Sequence, residues 1–204
     1  MIFTDPPYLR EYLPCYGWLA REAMRVLKPG GFVLAMCGGA YLNEIFRVFD
    51  DAGLTYYWKH ENELTGATSG QVWRNIGENV RAPIAVRQKS ILAYSKLPAV
   101  ARCQVLDIYR GNGTDKRYHA WGQDIDTARY FIDCYSAPGD LVLDPFIGGG
   151  TTAVACELIG RRGIGMDLDP VALATTAARL AEGDTFRRLP LFGGGGYALL
   201  TTRV

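Results

Sequence analysis

Two short stretches hold residue types that could do chemistry. The first is Asp5-Pro6-Pro7-Tyr8, which follows an apolar start at residues 1–4. Two prolines fix the backbone and remove two N–H donors, so the neighbouring carbonyls are left free to accept hydrogen bonds. Asp5 adds a carboxylate acceptor and Tyr8 a flat ring. An amino group on a planar base needs acceptors for its two protons and an aromatic surface under its ring. This tetrapeptide supplies both. Taken alone, the turn also reads as a proline-capped helix start.

The second stretch is Asp144-Pro145-Phe146-Ile147-Gly148-Gly149-Gly150-Thr151-Thr152. It sits between an apolar strand at 141–143 and a helical pattern from Thr151. Glycines let backbone approach a ligand closely, and a helix N-terminus offers unpaired N–H groups and a positive dipole end to an anionic group. The pattern is neither GxGxxG nor GxxxxGK[ST], which disfavours NAD and ATP. Beyond the helix, the run Gly163-Ile164-Gly165-Met166 ends on Asp167. A carboxylate at the end of that second strand is placed to hold ribose hydroxyls. The competing reading is a glycine turn that only lets strand and helix pack tightly.

The elements needed to position these residues are legible in the pattern. Strands are expected at 1–4, 32–37, 55–64, 90–94, 141–143 and 163–166. Helices are expected at 10–27, 41–52, 126–135, 151–159 and 170–181. Phe32 to Cys37 is an unbroken apolar run, the signature of a strand buried on both faces. Strands alternating with helices imply an α/β fold with a parallel, doubly wound sheet and helices on both faces. Such sheets bind ligands at their strand carboxyl ends. Residues 65–88 and 97–122 break the alternation and are too long for ordinary connections. The tail 183–204 reads as a loose end. The 204 residues fit a single domain spanning 1–204, with 65–121 as an insertion.

Composition excludes several classes. Hydrophobic residues make up 49% and charged residues 21%, which is globular usage and not that of a disordered chain. No apolar run reaches the roughly 20 residues of a membrane span. The five cysteines (Cys15, Cys37, Cys103, Cys134, Cys156) never form a CxxC pair, which argues for small buried hydrophobes in a reducing cytoplasm and against a disulfide scaffold or zinc site. Two isolated histidines are too few for a metal centre. The net charge is +1, but it is unevenly spread. Residues 65–121 contain nine Arg and Lys against three acids, or +6, so the remaining chain carries −5. The charges Arg74, Arg81, Arg87, Arg110, Lys116 and Arg117 interleave with aromatics such as Trp121, a composition suited to phosphate contact and base stacking.

Together, the two motifs resemble those of S-adenosylmethionine-dependent DNA amino-methyltransferases. Asp5-Pro6-Pro7-Tyr8 looks like that family's catalytic DPPY motif. Asp144-Pro145-Phe146-x-Gly-x-Gly-Thr-Thr, followed by Gly160-Arg161-Arg162-Gly163-Ile164-Gly165-x-Asp167, looks like its cofactor motif. The order, catalytic motif first, resembles the circularly permuted beta group. The resemblance implies a Rossmann-like methyltransferase sheet and a site-specific enzyme acting on a flipped base in double-stranded DNA, most often at adenine N6. The alternatives are N4 of cytosine and an idle cofactor- or DNA-binding module. By resemblance, Asp5 and the Pro6 and Pro7 turn would accept the target amine, and Tyr8 would stack on the base. Asp144, Phe146, Gly148, Gly150, Thr151 and Thr152 would line the cofactor, with Asp167 on its ribose. Gln123 and Asp124 stand where the family often has Lys-Pro. Asp184, at the far end, could replace an acidic residue that relatives carry ahead of DPPY. The resemblance also implies a bacterial or phage-encoded cytoplasmic restriction–modification enzyme, allows a homodimer, and calls for no metal.

Overall fold

The computed structural model describes residues 1–63, 70–77, 80–111, 124–182 and 197–201; for 70–77, 80–82, 182 and 197–201 it describes the backbone alone. The strands are β1 (Ile2–Thr4), β2 (Phe32–Cys37), β3 (Thr55–Glu63), β4 (Gly70–Gly77), β5 (Val80–Val86), β6 (Gln88–Ser95), β7 (Ile108–Arg110), β8 (Leu141–Asp144), β9 (Arg162–Asp167) and β10 (Tyr197–Thr201). The α-helices are α1 (Leu13–Val26), α2 (Leu42–Asp51), α3 (Ile125–Tyr135), α4 (Thr151–Leu158) and α5 (Pro170–Glu182). One sheet runs in the order β10-β9-β8-β1-β2-β6-β3-β7, and β4 with β5 forms a separate antiparallel hairpin.

The all-apolar β2 is buried at all six positions, as an unbroken run requires. Its side chains alternate between two cores. Val33, Ala35 and Cys37 pack with Tyr16, Leu19, Ala23, Ile45 and Phe49 of α1 and α2. Phe32, Leu34 and Met36 pack with Phe131 and Ile132 of α3 and with Ala155 and Cys156 of α4. The period of two along β2 thus sorts one strand into two layers. Helix α1 carries proline in its first turn and stops where Leu27 turns extended ahead of Lys28-Pro29.

The helices cover both faces of the sheet, as expected, but the sheet is not parallel throughout. Strands β10 to β2 are parallel, and β6 runs antiparallel to both β2 and β3. The reversal follows from the connection: β3 enters β6 through the β4–β5 hairpin and not through a crossover helix. That hairpin also accounts for part of 65–88, the stretch too long for an ordinary connection. The tail is not wholly loose either, because residues 197–201 pair in parallel with 163–167 as an edge strand. Cys37, Cys134 and Cys156 are buried, whereas Cys15 is partly exposed and Cys103 exposed, so two of the five depart from the expected burial. Among the described residues, no helix is long and apolar enough to cross a membrane.

The central pair β1 and β8 comes from parts of the chain about 140 residues apart. The Met1 ammonium donates to the Leu141 carbonyl at 2.7 Å, and the Leu143 N–H donates to the Met1 carbonyl at 2.9 Å. From β1 the chain crosses through α1 to β2; from β8 it crosses through α4 to β9, on the other side. The strand order therefore reverses between β1 and β8, and a crevice opens above their carboxyl ends. Asp5 and Asp144 lie there.

Candidate active site

Asp5 follows the last residue of β1. Pro6 is buried, Pro7 exposed, and Tyr8 half-buried against the backbone that leaves β2. A Cβ placed on Gly38 would stand 3.3 Å from the Tyr8 Cβ, so the glycine lets the ring settle on the chain. The Tyr8 hydroxyl donates to Asp5 Oδ1. Lys89, from the start of β6, holds its Nζ 3.7 Å from Asp5 Oδ2 and 5.2 Å from the Tyr8 ring centroid. From below, the buried Tyr16 hydroxyl lies 3.1 Å from the Met36 carbonyl and 3.4 Å from the Pro6 carbonyl, tying the turn to β2. Burial and then the Asp5 charge push the Tyr8 hydroxyl well above its ordinary range, so it stays neutral and a donor. A carboxylate and an aromatic ring thus share one ammonium, and the carbonyl between them is tied to β2 through Tyr16.

The glycine loop lies alongside. Gly148 and Gly150 have φ of +48° and +81°. Gly150 forms the N-terminal boundary of α4, and a Cβ there would come within 2.8 Å of Thr176 Cγ2 and Oγ1. A Cβ on Gly148 would instead meet nothing nearer than the Phe146 carbonyl at 4.0 Å, so it would project into the open mouth of the loop. The loop is held from beneath by α5. Thr176 Oγ1 donates to the Gly148 carbonyl at 2.9 Å, and the buried Arg179 donates through Nη1 to the Gly149 carbonyl at 2.9 Å. Asp167 Oδ2 accepts from the Gly148 N–H at 2.9 Å and its Oδ1 from the Asp169 N–H at 2.9 Å, locking the end of β9 against the loop. Phe146, half-exposed, meets Trp18 of α1 edge-on at 6.1 Å. An open glycine cradle, a helix N-terminus, a strand-end carboxylate and an aromatic pair suit a ligand with an anionic end, a ribose and a flat ring.

Asp144 joins the two motifs. It is 3% exposed, and its Oδ1 accepts from the Thr4 hydroxyl at 2.6 Å and from the Phe146 N–H at 3.0 Å. The Thr152 hydroxyl bonds to it as well. Asp144 and Thr152 are therefore spent on holding the loop to β1. Thr151, also buried, opens α4. Burial raises the Asp144 carboxyl to about 6, although the Thr152 and Thr4 hydroxyls and the Phe146 N–H oppose the rise. Because the folded value lies above the unfolded one, the native state binds this proton more tightly. Its contribution is intact below about pH 4 and is lost as pH climbs through about 6, a change on the order of 3 kcal/mol. Asp144→Asn keeps an acceptor and removes the ionisation. Measured by denaturant midpoints, the stability of the wild type relative to this variant is expected to be lower at about pH 7.5 than at about pH 4.5, because only the wild type ionises a buried carboxyl. A gap that ignores pH would show that Asp144 is not desolvated.

The remaining expected site residues divide by position. Asp124 is the N-cap of α3, accepting from the Asp126 and Thr127 N–H groups, so the departure from Lys-Pro has a structural use. Arg74 and Arg81 lie on the β4–β5 hairpin. Arg87 is exposed at the entry to β6, and exposed Arg110 pairs with Glu63 at 2.8 Å. Gln123, Asp184, Lys116, Arg117 and Trp121 lie outside the described residues. Sequence reasoning missed Lys89 as a neighbour of Asp5, and Thr176 and Arg179 as supports of the loop. The last two carried a signal: polar residues three apart on a helix otherwise rich in Ala and Leu.

Known proteins share this architecture. The crystal structure of the M1.HpyAVI–SAM complex superposes with a TM-score of 0.65 at 24% identity, over 87% of each chain. The PvuII DNA methyltransferase, cytosine-N4-specific, superposes with a TM-score of 0.71 at 19% identity, over 93% of this chain and 79% of that one. At these identities the likeness speaks for the fold. In sequence, the Type II methyltransferase M.HpaI of Haemophilus parainfluenzae is 25% identical over 216 residues, covering 88% of this chain and 67% of the relative. The N6/N4 family model described as DNA methylase matches residues 58–178. The chain therefore belongs to the DNA methylase family of N6-adenine and N4-cytosine amino-methyltransferases.

Proposed function

We propose that the chain moves a methyl group from S-adenosylmethionine to the exocyclic amine of a base flipped out of double-stranded DNA, with N6 of adenine as the acceptor. The observation that carries this reading is the Thr4–Asp144 hydrogen bond. It brings the Asp5-Pro6-Pro7-Tyr8 turn and the glycine loop to one edge of the sheet, at its switch point. The choice of adenine rests on Asp5 at the first motif position, where relatives acting on cytosine N4 more often have Ser.

S-adenosylmethionine, when bound, supplies an electrophilic methyl group on a sulfonium. The Gly148–Gly150 backbone and the start of α4 would hold its amino-acid end, Asp167 its ribose, and Phe146 its adenine face. The Asp5 carboxylate and the Pro6 carbonyl accept the two protons of the target amine. This favours a tetrahedral nitrogen, whose lone pair is otherwise delocalised into the base. Tyr8 supports the base ring. Positioning of this kind can contribute up to roughly 7–11 kcal/mol. The nitrogen sheds one proton after transfer, and Asp5 is its nearest carboxylate.

Within one methyltransferase domain spanning 1–204, residues 65–121 would form the DNA-recognition region. Topology supports this, because the β4–β5 hairpin with Arg74 and Arg81 grows from the carboxyl end of β3 and returns at the start of β6. Both points lie on the edge that carries Asp5. Modified-base sequencing of DNA from cells expressing the chain tests the whole reading. N6-methyladenine within a short recurring sequence is the expected result. N4-methylcytosine would reassign the base, and unmodified DNA would leave an idle module.

A further inference from the structure

We propose that Lys89 is a placeholder of the base site, a positioning residue whose ammonium stands in for the target amine between Asp5 and Tyr8 until the base displaces it. The inference rests on the function proposed above for the identity of the site, and on separate observations for the residue.

Asp5 and Tyr8 each offer what a base amine requires, and one ammonium engages both. Lys89 Nζ lies 3.7 Å from Asp5 Oδ2 and 5.2 Å from the Tyr8 centroid, within cation–π range. The other Asp5 oxygen accepts from the Tyr8 hydroxyl. The Lys89 side chain is 19% exposed, so it lies in the crevice and not in bulk water. Its direction follows from the register of β6. Lys89 shares parity with Ile91 and Ala93, which face the core under α3, and Tyr8 packs on that same core. Ser90 points the other way and gives its hydroxyl to Glu61, whose own cationic partner is Lys59, so the acid on the opposite face does not draw Lys89 across.

A protonated primary amine and an exocyclic base amine are both N–H donors to a carboxylate. They differ in that the base must lie flat on the Tyr8 ring, at a spacing the ammonium cannot share. A base that enters must therefore push Lys89 aside and take over its contacts. The lysine keeps the base-free carboxylate satisfied and the ring covered, at the expense of competing with every base that enters.

The test is a set of four proteins: wild type, Lys89→Met, Asp5→Ala and the double variant, with Lys89→Arg as the charge-preserving control. DNA affinity is measured with long unmethylated duplex of mixed sequence, and methyl transfer is measured on the same DNA. Lys89→Met is expected to tighten DNA binding and lower KM for DNA by about 3- to 10-fold, with kcat within about twofold, while Lys89→Arg stays near wild type. In the Asp5→Ala background the same change is expected to have no effect, because the ammonium no longer has its partner. Weaker binding by Lys89→Met would make the lysine a DNA-backbone contact and overturn the placeholder. So would equal gains with and without Asp5. The binding cycle needs no turnover. A wild type that transfers no methyl group would overturn the proposed function, while the cycle would still decide whether Lys89 holds the place.

Discussion

Asp5→Ala is expected to lower methyl transfer to DNA by at least about 10²- to 10³-fold while leaving S-adenosylmethionine affinity within about twofold. The Asp5 carboxylate meets Tyr8 and Lys89, whereas the Gly148 and Gly149 backbone is held by Thr176, Arg179 and Asp167. The role of Asp5 is toward the amine, where it sets the direction of the nitrogen lone pair. Alanine would leave the Tyr8 hydroxyl and the Lys89 ammonium facing each other with no acceptor between them. Asp5→Asn separates acceptor from charge. An amide oxygen can still take one amine proton, so this variant should keep more activity than alanine. Labelled-methyl incorporation and calorimetric cofactor binding read the two effects. An alanine variant as active as wild type would remove Asp5 from the chemistry and with it the mechanism.

The second large effect is at Gly150. Its φ of +81° lies in the left-handed region, which costs an L-residue about 1–2 kcal/mol. An added Cβ would also sit 2.8 Å from two Thr176 side-chain atoms and 3.1 Å from a third. Overpacking of this kind adds about 1–3 kcal/mol. Gly150→Ala should therefore lower stability by about 2–5 kcal/mol and weaken cofactor binding at least about tenfold, because the loop must move away from α5. Removing the opposing atoms with Thr176→Ala should restore part of the stability and leave the φ strain. Gly148→Ala makes the contrast. Its Cβ enters open space, so it should lose only the about 1–2 kcal/mol that its φ of +48° costs an L-residue, and obstruct the ligand. Thermal unfolding with and without cofactor distinguishes the two. Equal stability losses at both positions would contradict the packing described for Thr176.

Both chemical motifs were legible because each is continuous in sequence and sits where an apolar strand ends. The two-layer core was legible for the same reason: Phe32 to Cys37 could be buried on both faces only by helices on both sides. What escaped was set by strand direction and register. Lys89 reaches Asp5 because β6 runs backwards beside β2, and a Gly- and Arg-rich stretch gave no sign that it would fold into a hairpin and reverse the chain. Pro83 and the glycines at 70 and 77 look like loop residues, yet they sit on the hairpin strands. The edge strand 197–201 follows four glycines at 193–196 that read as the end of structure. Asp124 looked like a departure from a ligand position because a cap cannot be told from a ligand until the helix start is known. Thr152 looked like a cofactor contact, and the structure spends its hydroxyl on Asp144.

The Thr4–Asp144 contact spans 140 residues, and the strands it joins are the middle of the sheet. During synthesis β1 is made before β2 and long before β8, and it can pair early with β2 on one side only. Its other edge, with Phe3 turned toward a core that α4 has yet to complete, must wait until residues 141–144 and 151–158 have been made. The centre of this sheet thus cannot close until residues 141–144 have been made. A chain arrested before residue 141 has a finished layer under α1 and α2, an open strand edge beside it, and only half of the crevice. The crevice therefore takes shape only when residues 1–8 meet residues 141–158, two stretches far apart in the sequence.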